Sequence, residues 1–351
     1  MPLLAMETTV LMVVFGAGAS YDSVPSRPPG QWPIEVLPDR PPVADELFDD
    51  RAAFRVAMSH FPECQPIVPL LRNIPNGSSL EREMQNLQRE APQHAEKHRQ
   101  LAAVRFYLHF MLWECESRWA AVAEGVTNYK TLLDRIERYR KGSQPVCLVT
   151  FNYDTMLEDA LAAFGVRIKA LEDYVGDDRF KLFKLHGSVN WAREVNTPLT
   201  NLANIDTWQA AHELIKNAAS LDVSDRFVRV TEHPIGKLGE SAVFPAIALP
   251  LESKSGFECP ASHVEALKSF VPDVDRLLLV GWRATESDFM SLLRAGLRKA
   301  PYTYVIAADE KNAQQTVARF RDYGIQFDYV LARGGFTDVI NKRELESFLR
   351  S

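Results

Sequence analysis

Largely apolar runs that stop abruptly at short polar clusters constrain this chain more than any of its other features. Val10 to Phe15 runs into Gly16-Ala17-Gly18-Ala19-Ser20, residues 146–149 into Thr150-Phe151-Asn152-Tyr153-Asp154, and residues 180–185 into His186-Gly187-Ser188-Val189-Asn190-Trp191. A strand buried on both faces of a parallel sheet reads as a nearly continuous hydrophobic run, and ligands of open α/β sheets sit at the carboxyl ends of such strands. The three clusters are therefore expected to face one cleft. Further strand patterns at residues 243–249, 277–280, 302–307 and 327–331 are interleaved with helical patterns at 155–164, 287–299 and 312–323. This alternation predicts an α/β fold: a Rossmann-like doubly wound parallel sheet with helical insertions and right-handed crossovers, in a single domain over residues 1–351.

Two segments break the rhythm. From about residue 44 to 141 the pattern is helical: Leu101, Val104, Leu108, Met111, Leu112 and Cys115 recur on one face, and Ser79 ahead of Glu81 and Glu83 marks a helix start. The charged faces of this insertion read most simply as solvated surface. A smaller, partly helical insertion is expected over about 193–240. Residues 24–42 carry Pro25, Pro28, Pro29, Pro33, Pro38, Pro41 and Pro42, which forbid helix and sheet. That stretch is either a lid over a ligand or a plain surface excursion.

Composition excludes several classes. Hydrophobic residues make up 46% and charged residues 25%, as in ordinary globular proteins, and the formal net charge of −6 gives no broad case for direct nucleic-acid binding. The four cysteines are scattered without a C-x-x-C pair, so neither a zinc ribbon nor a disulfide framework is expected, and Cys147 reads as a small buried hydrophobe. No stretch is long enough to span a membrane, and the run at Val10 to Phe15 lacks the basic region of a signal peptide. The expectation is a cytoplasmic protein with no membrane contact and no metal. The amphipathic surface of the helical insertion fits a homo-oligomer contact or core packing equally well.

Each cluster carries chemistry. Gly16 and Gly18 let the backbone turn sharply, and a following helix would aim its amides at a phosphate, although Tyr21 occupies the third glycine position of a dinucleotide fingerprint. Thr150, Asn152 and Asp154 alternate along one face of an extended chain and must bond each other or a ligand; the other reading is that Asp154 caps the next helix. His186 emerges from a buried strand with an imidazole suited to moving protons, while Gly187, Ser188, Asn190 and Trp191 add donors and an aromatic wall. Gly281-Trp282-Arg283 follows another strand, where Arg283 pairs with a phosphate or with a surface carboxylate and Ser287 caps the next helix. Asp309 lies where many nucleotide-binding sheets meet a ribose hydroxyl.

The order Gly16-Ala17-Gly18-x-Ser20, Thr150-x-Asn152-x-Asp154 and His186-Gly187 resembles the sirtuin family, and the longer form from His186 to Trp191 resembles its divergent bacterial branch associated with anti-phage defence. The resemblance implies NAD as substrate. It implies that Asn152 and His186 are catalytic, Asn152 positioning the ribose and the attacking water and His186 orienting or deprotonating a ribose hydroxyl. Asp154 would hold the nicotinamide carboxamide. Gly16, Ala17, Gly18 and Ser20 would hold the pyrophosphate, with Thr150, Gly187, Ser188, Asn190, Gly281, Arg283 and Asp309 completing the site. The paired C-x-x-C zinc module of sirtuin deacylases is absent, as is their G-x-x-D-F-R segment, and Gly281-Trp282-Arg283 stands in place of a G-x-S motif. The resemblance thus implies an NAD glycohydrolase that releases ADP-ribose and nicotinamide. It would be held inactive until a nucleotide signal or a companion defence protein, an ATPase or nucleic-acid sensor, releases it. The alternatives are an NAD-dependent protein deacylase and a noncatalytic sensor of NAD or ADP-ribose.

Overall fold

A computed structural model describes residues 9–31, 37–74, 78–140, 142, 144–197, 202–251 and 256–350. The strands are β1 (Val10–Phe15), β2 (Val146–Thr150), β3 (Phe180–Lys184), β4 (Gly187–Val195), β5 (Val223–Arg229), β6 (Lys237–Leu238), β7 (Ser241–Ile247), β8 (Val274–Val280), β9 (Tyr302–Ile306) and β10 (Asp328–Leu331). Six of them form a parallel sheet in the order β10-β9-β8-β1-β2-β3. The doubly wound fold is therefore as expected. The chain steps outward from β1 through β2 to β3, then returns past β1 to build β8, β9 and β10 on the other side. That reversal opens a crevice beside the end of β1.

Register brings the polar clusters to one line. Phe15 pairs with both Thr150 and Val280, and Thr150 pairs with Lys184. The ladder then continues one step past the strand ends: Gly16 N–H donates to Val280 O at 3.0 Å, Phe151 N–H to Phe15 O at 3.1 Å and Leu185 N–H to Thr150 O at 3.0 Å. Every residue of β1 and β2 is buried, because helices cover both faces of the sheet.

The second sheet corrects two expectations. Strands β5-β4-β7-β6 form an antiparallel sheet, so residues 243–249 do not belong to the parallel one, and the insertion read as 193–240 is a sheet with one helix, Thr207–Lys216, that starts at Gly187. The physical reason is burial: six of the seven residues of β7 are inaccessible, so its sequence carries no polar alternation to distinguish it from a parallel core strand.

The helices between residues 44 and 141 divide between two hydrophobic clusters. The long helix, Ala95–Ala123, is buried well beyond the single face read from sequence, for example at Ala102, Ala103, Phe106, Tyr107 and His109, because it contacts the helices Ala52–Ser59 and Thr207–Lys216 as well as β4 and β7. Ser79 caps the helix Leu80–Glu90, its hydroxyl accepting from Arg82 N–H at 3.2 Å. The last helix of the segment, Asn128–Tyr139, joins the parallel sheet instead: Tyr129, Leu132, Leu133 and Ile136 pack in the same hydrophobic cluster as β1 and β2. A separate cluster unites the long helix, its neighbours and the second sheet. Ser287 is not a cap; it lies inside the helix Ser287–Gly296, whose N-cap is Glu286. Of the proline-rich stretch, Leu37–Asp39 is a short 3-10 turn, and Pro33 lies outside the described residues. No helix among the described residues is long and apolar enough to cross a membrane.

Candidate active site

A cleft of about 1000 Å³ runs along the carboxyl ends of β9, β8, β1, β2 and β3, with Pro41, Pro42, Leu112, Cys115 and Glu116 forming part of its opposite wall. It lies at the upper end of the size range of small-molecule sites. Gly16, Ala17, Gly18, Ser20, Asn152, Asp154, His186, Gly281 and Arg283 all line it, so residues up to 267 positions apart meet as the sequence suggested. Pro41 and Pro42 bring the end of the proline-rich stretch to the cleft edge.

Six expected residues lie elsewhere. Thr150 is enclosed, and its Oγ1 accepts from Asn152 N–H at 3.0 Å, so the chain turns after β2 instead of alternating along one extended face. Gly187 opens β4 at φ 80°, where a Cβ would lie 1.9 Å from Ala246 O; only glycine fits there. Ser188 donates to Tyr153 O at 3.2 Å, and Asn190 accepts from the Tyr174 hydroxyl at 3.4 Å; both are buried in the second sheet's packing, away from the cleft. Trp191 is likewise buried, its indole donating to the Tyr174 hydroxyl at 3.0 Å. Asp309 caps the helix Glu310–Asp322, accepting from Asn312 N–H at 2.8 Å, and it is Asn312 that reaches the cleft wall.

The glycine turn packs closely against the loop after β8. A Cβ on Gly16 would lie 2.6 Å from Gly281 O, and one on Gly281 2.5 Å from Ala19 N, so the glycines let two loops touch each other. Gly16 and Gly18 amides donate to Val280 O and Gly281 O, and Ala19 N–H to Gly16 O. These three amides bond within the fold, and Arg283 and Arg319 place positive charge on the cleft wall, the Arg319 guanidinium donating to the Arg283 carbonyl. Arg283 is half exposed, with Asp45 at 3.8 Å.

A hydrogen-bonded network fills the floor at the ends of β1 and β2. Ser20 Oγ donates to Asp154 Oδ2 at 2.6 Å, and Asn152 Nδ2 lies 2.9 Å from Ser20 Oγ, 3.0 Å from Gly16 O and 3.2 Å from the Tyr129 hydroxyl. The Asn152 amide is thus held by its nitrogen, while its buried Oδ1 has no protein partner. A buried acceptor left unpaired is costly, which marks the position as built for a ligand group or water. Asp154 Oδ1 accepts from Met156 N–H at 3.2 Å at the start of the helix Met156–Ala162, whose N-cap is Thr155, so Asp154 supports the helix start from one residue ahead of the cap while lining the cleft. Below them Lys184, fully enclosed, donates to the Asp154 carbonyl and to Glu158 Oε1 at 2.9 Å. His186, 7% exposed at the end of β3, meets Phe151 edge-on with ring centroids 4.8 Å apart, and Phe151 stacks on Trp282 at 5.4 Å.

Sequence reasoning missed Glu116, Tyr129, Lys184 and Arg319. Glu116 sits on the long inserted helix, whose charges were read as solvated surface. In fact it crosses to the parallel-sheet side, where its Oε1 accepts from Thr155 N–H at 2.8 Å and from the Thr155 hydroxyl. Its spacing was a usable signal: Leu108, Leu112 and Glu116 follow at four-residue intervals, placing an acid in line with an apolar row. Burial pushes the Glu116 carboxyl up to about 8, and the nearby negative charge of Asp154 adds to the shift. Burial also raises Asp154, against the lowering influence of Lys184.

Because the folded pKa of Glu116 exceeds its unfolded value, the folded state binds more protons over roughly pH 4.5 to 8. Its contribution to stability is full below that window and is lost as pH rises through about 8. Glu116→Gln removes this titration. Thermal melts of the parent and the variant should therefore diverge in the variant's favour between pH 6 and pH 9; a constant offset would mean that Glu116 is an ordinary solvated acid.

With the geometry in place, comparison with known proteins is informative over one segment. Residues 146–215 match a family model described as a SIR2-like domain. Over that segment the chain is similar to SIR2-like domains. The SIR2-like segment contains the Asn152 and His186 motifs and leaves the glycine turn and Gly281 outside. Among solved structures, a triple mutant of a Sir2 homologue in complex with 2′-O-acetyl ADP-ribose aligns with a TM-score of 0.43 and 15% identity over 98% of this chain and 95% of that one. A structure addressing the mechanism and regulation of Sir2 enzymes aligns at 0.40 and 12% over 98% and 94%, and Sir2 bound to an acetylated peptide at 0.38 and 12% over 97% and 94%. No curated protein matches. Among the described residues, no group of three or more His, Cys, Asp or Glu side chains could hold a metal ion, and the four cysteines are buried and free.

Proposed function

We propose that the cleft binds NAD and hydrolyses the bond between its ribose and nicotinamide, releasing ADP-ribose and nicotinamide. The observation that carries this reading is the meeting of Asn152, with its unpaired Oδ1, and His186 in one cleft, both supplied by the SIR2-like segment. In the reaction, water adds to the ribose carbon while the carbon–nitrogen bond breaks and its electron pair returns to the pyridine nitrogen; one proton of the water is released. Nicotinamide leaves neutral, so the demand on the protein is to stabilise an oxocarbenium-like ribose and to place the water. Asn152 Oδ1 is the acceptor that orients that water or a ribose hydroxyl. His186 orients or deprotonates a ribose hydroxyl, and Arg283 and Arg319 meet the pyrophosphate from the β8 and β9 side. The motif resemblance extends the proposal to an effector of bacterial anti-phage defence, restrained until a companion protein or nucleotide signal acts on it.

Chromatography of NAD incubated with the pure protein, alone and with a candidate activator, tests this. Nicotinamide and ADP-ribose should appear together, and His186→Ala should slow their release by tens-fold or more, roughly the worth of one proton-transfer group. Release of acyl-ADP-ribose in the presence of an acyl-lysine peptide would replace hydrolysis with deacylation. Tight NAD binding without turnover, even with an activator, would replace it with sensing.

A further inference from the structure

We propose that Glu116 is a specificity-determining residue: its outer carboxyl oxygen donates to the carbonyl of the substrate's primary carboxamide while Asp154 accepts from the amide N–H, so that the cleft selects an amide over a carboxylate. The inference rests on the reading that this cleft takes NAD, and it moves the principal contact to that group from Asp154 to a residue of the inserted helix. The geometry divides the two carboxyls sharply. Both Asp154 oxygens are engaged, by Ser20 Oγ and by Met156 N–H, and each keeps only a spare lone pair. Glu116 uses Oε1 to accept from the Thr155 amide and hydroxyl, and among the described residues its Oε2 has no hydrogen-bond partner at the cleft wall. A proton on this carboxyl therefore sits on Oε2, since Oε1 is occupied as an acceptor. In the same cleft, the buried Asn152 Oδ1 has no protein partner among the described residues and marks a site that a ligand completes. A proton-bearing oxygen next to a carboxylate presents one donor and one acceptor, the complement of a primary amide. A ligand carboxylate would instead set its negative charge against Asp154.

The groups facing Glu116 all bear on its proton. Asp154 from the turn after β2 favours retention, Lys184 from β3 opposes it, and Glu158, from the helix Met156–Ala162, partly neutralises Lys184. On its own helix, Glu114 and Arg118 pair with each other, Arg118 also reaching Asp39. His186 shares the cleft and is common to parent and variants.

The test is ligand-observed NMR of nicotinamide and nicotinate binding to the parent, Glu116→Gln and Glu116→Ala from pH 6.5 to 9.5, with NAD and its deamidated counterpart as the dinucleotide pair. The parent should bind nicotinamide about tenfold more tightly than nicotinate at neutral pH, as expected when a site built for an amide meets a mismatched group. Its nicotinamide affinity should fall about tenfold as pH passes through 8 and the donor is lost. Glu116→Gln retains an acceptor for Thr155 and a permanent donor, so it should match the parent at pH 7 and keep that affinity at pH 9.5. Glu116→Ala should lose it throughout. Equal binding of amide and acid by the parent, or an unchanged pH dependence in Glu116→Gln, overturns the assignment. Binding of NAD and its deamidated counterpart with one affinity refutes Glu116's role and leaves the NAD reading standing, whereas binding of neither refutes the NAD reading and this role with it.

Discussion

Asn152→Ala should lower nicotinamide release from NAD by about two to four decades, the range for loss of a group that positions reactants in the transition state. The expectation follows from how the side chain is held. Its nitrogen lies within hydrogen-bond distance of three acceptors, which fixes the amide plane, and its oxygen is the buried atom left without a partner. Alanine removes the oriented acceptor and also strips Gly16 O, Ser20 and Tyr129 of a donor, at a stability cost of about 1–3 kcal/mol. Rates are therefore compared well below the melting temperature of the variant, with circular dichroism verifying its fold. A folded Asn152→Ala protein that retains activity within tenfold of the parent would place the reacting carbon elsewhere.

Gly281→Ala should be strongly destabilising. Gly281 has φ 58°, in the left-handed region, and an added Cβ would lie 2.5 Å from Ala19 N and 2.5 Å from the Gly18 carbonyl carbon, both backbone atoms that cannot rotate away. Left-handed strain of about 1–2 kcal/mol adds to overpacking of about 1–3 kcal/mol. At roughly 2–4 °C per kcal/mol, the melting temperature should fall by about 4–20 °C. Gly324→Ala is the control: φ is 70°, but nothing lies near its Cβ, so only the first of the two costs applies. Equal shifts for the two variants would show that the contact between the β1 and β8 loops carries no stability.

The sequence revealed the parallel sheet because its strands are buried on both faces and punctuated by polar clusters. The same rule misassigned residues 243–249, since a sheet wedged between helices and a second layer is equally dry. Local chemistry outranked analogy at Asp309, where Asp309 and Asn312 stand three residues apart as a cap and its partner do. At His186-Gly187-Ser188 the turn is sharp enough that one residue faces the cleft and the next begins another sheet. Asn152, Asp154 and His186 were readable because each follows a strand. Arg319 was not, since it sits on a helix whose rotation about its own axis is fixed only by tertiary packing, and Glu116 was legible only through its place in line with Leu108 and Leu112.

The Thr155–Glu116 contact joins the two hydrophobic clusters across the cleft. The acidic end of the pocket is consequently a joint product of both lobes and cannot be inherited from either alone. A shortened chain retaining the parallel sheet but stripped of the inserted helices would leave Thr155 unclamped and take Tyr129 from Asn152.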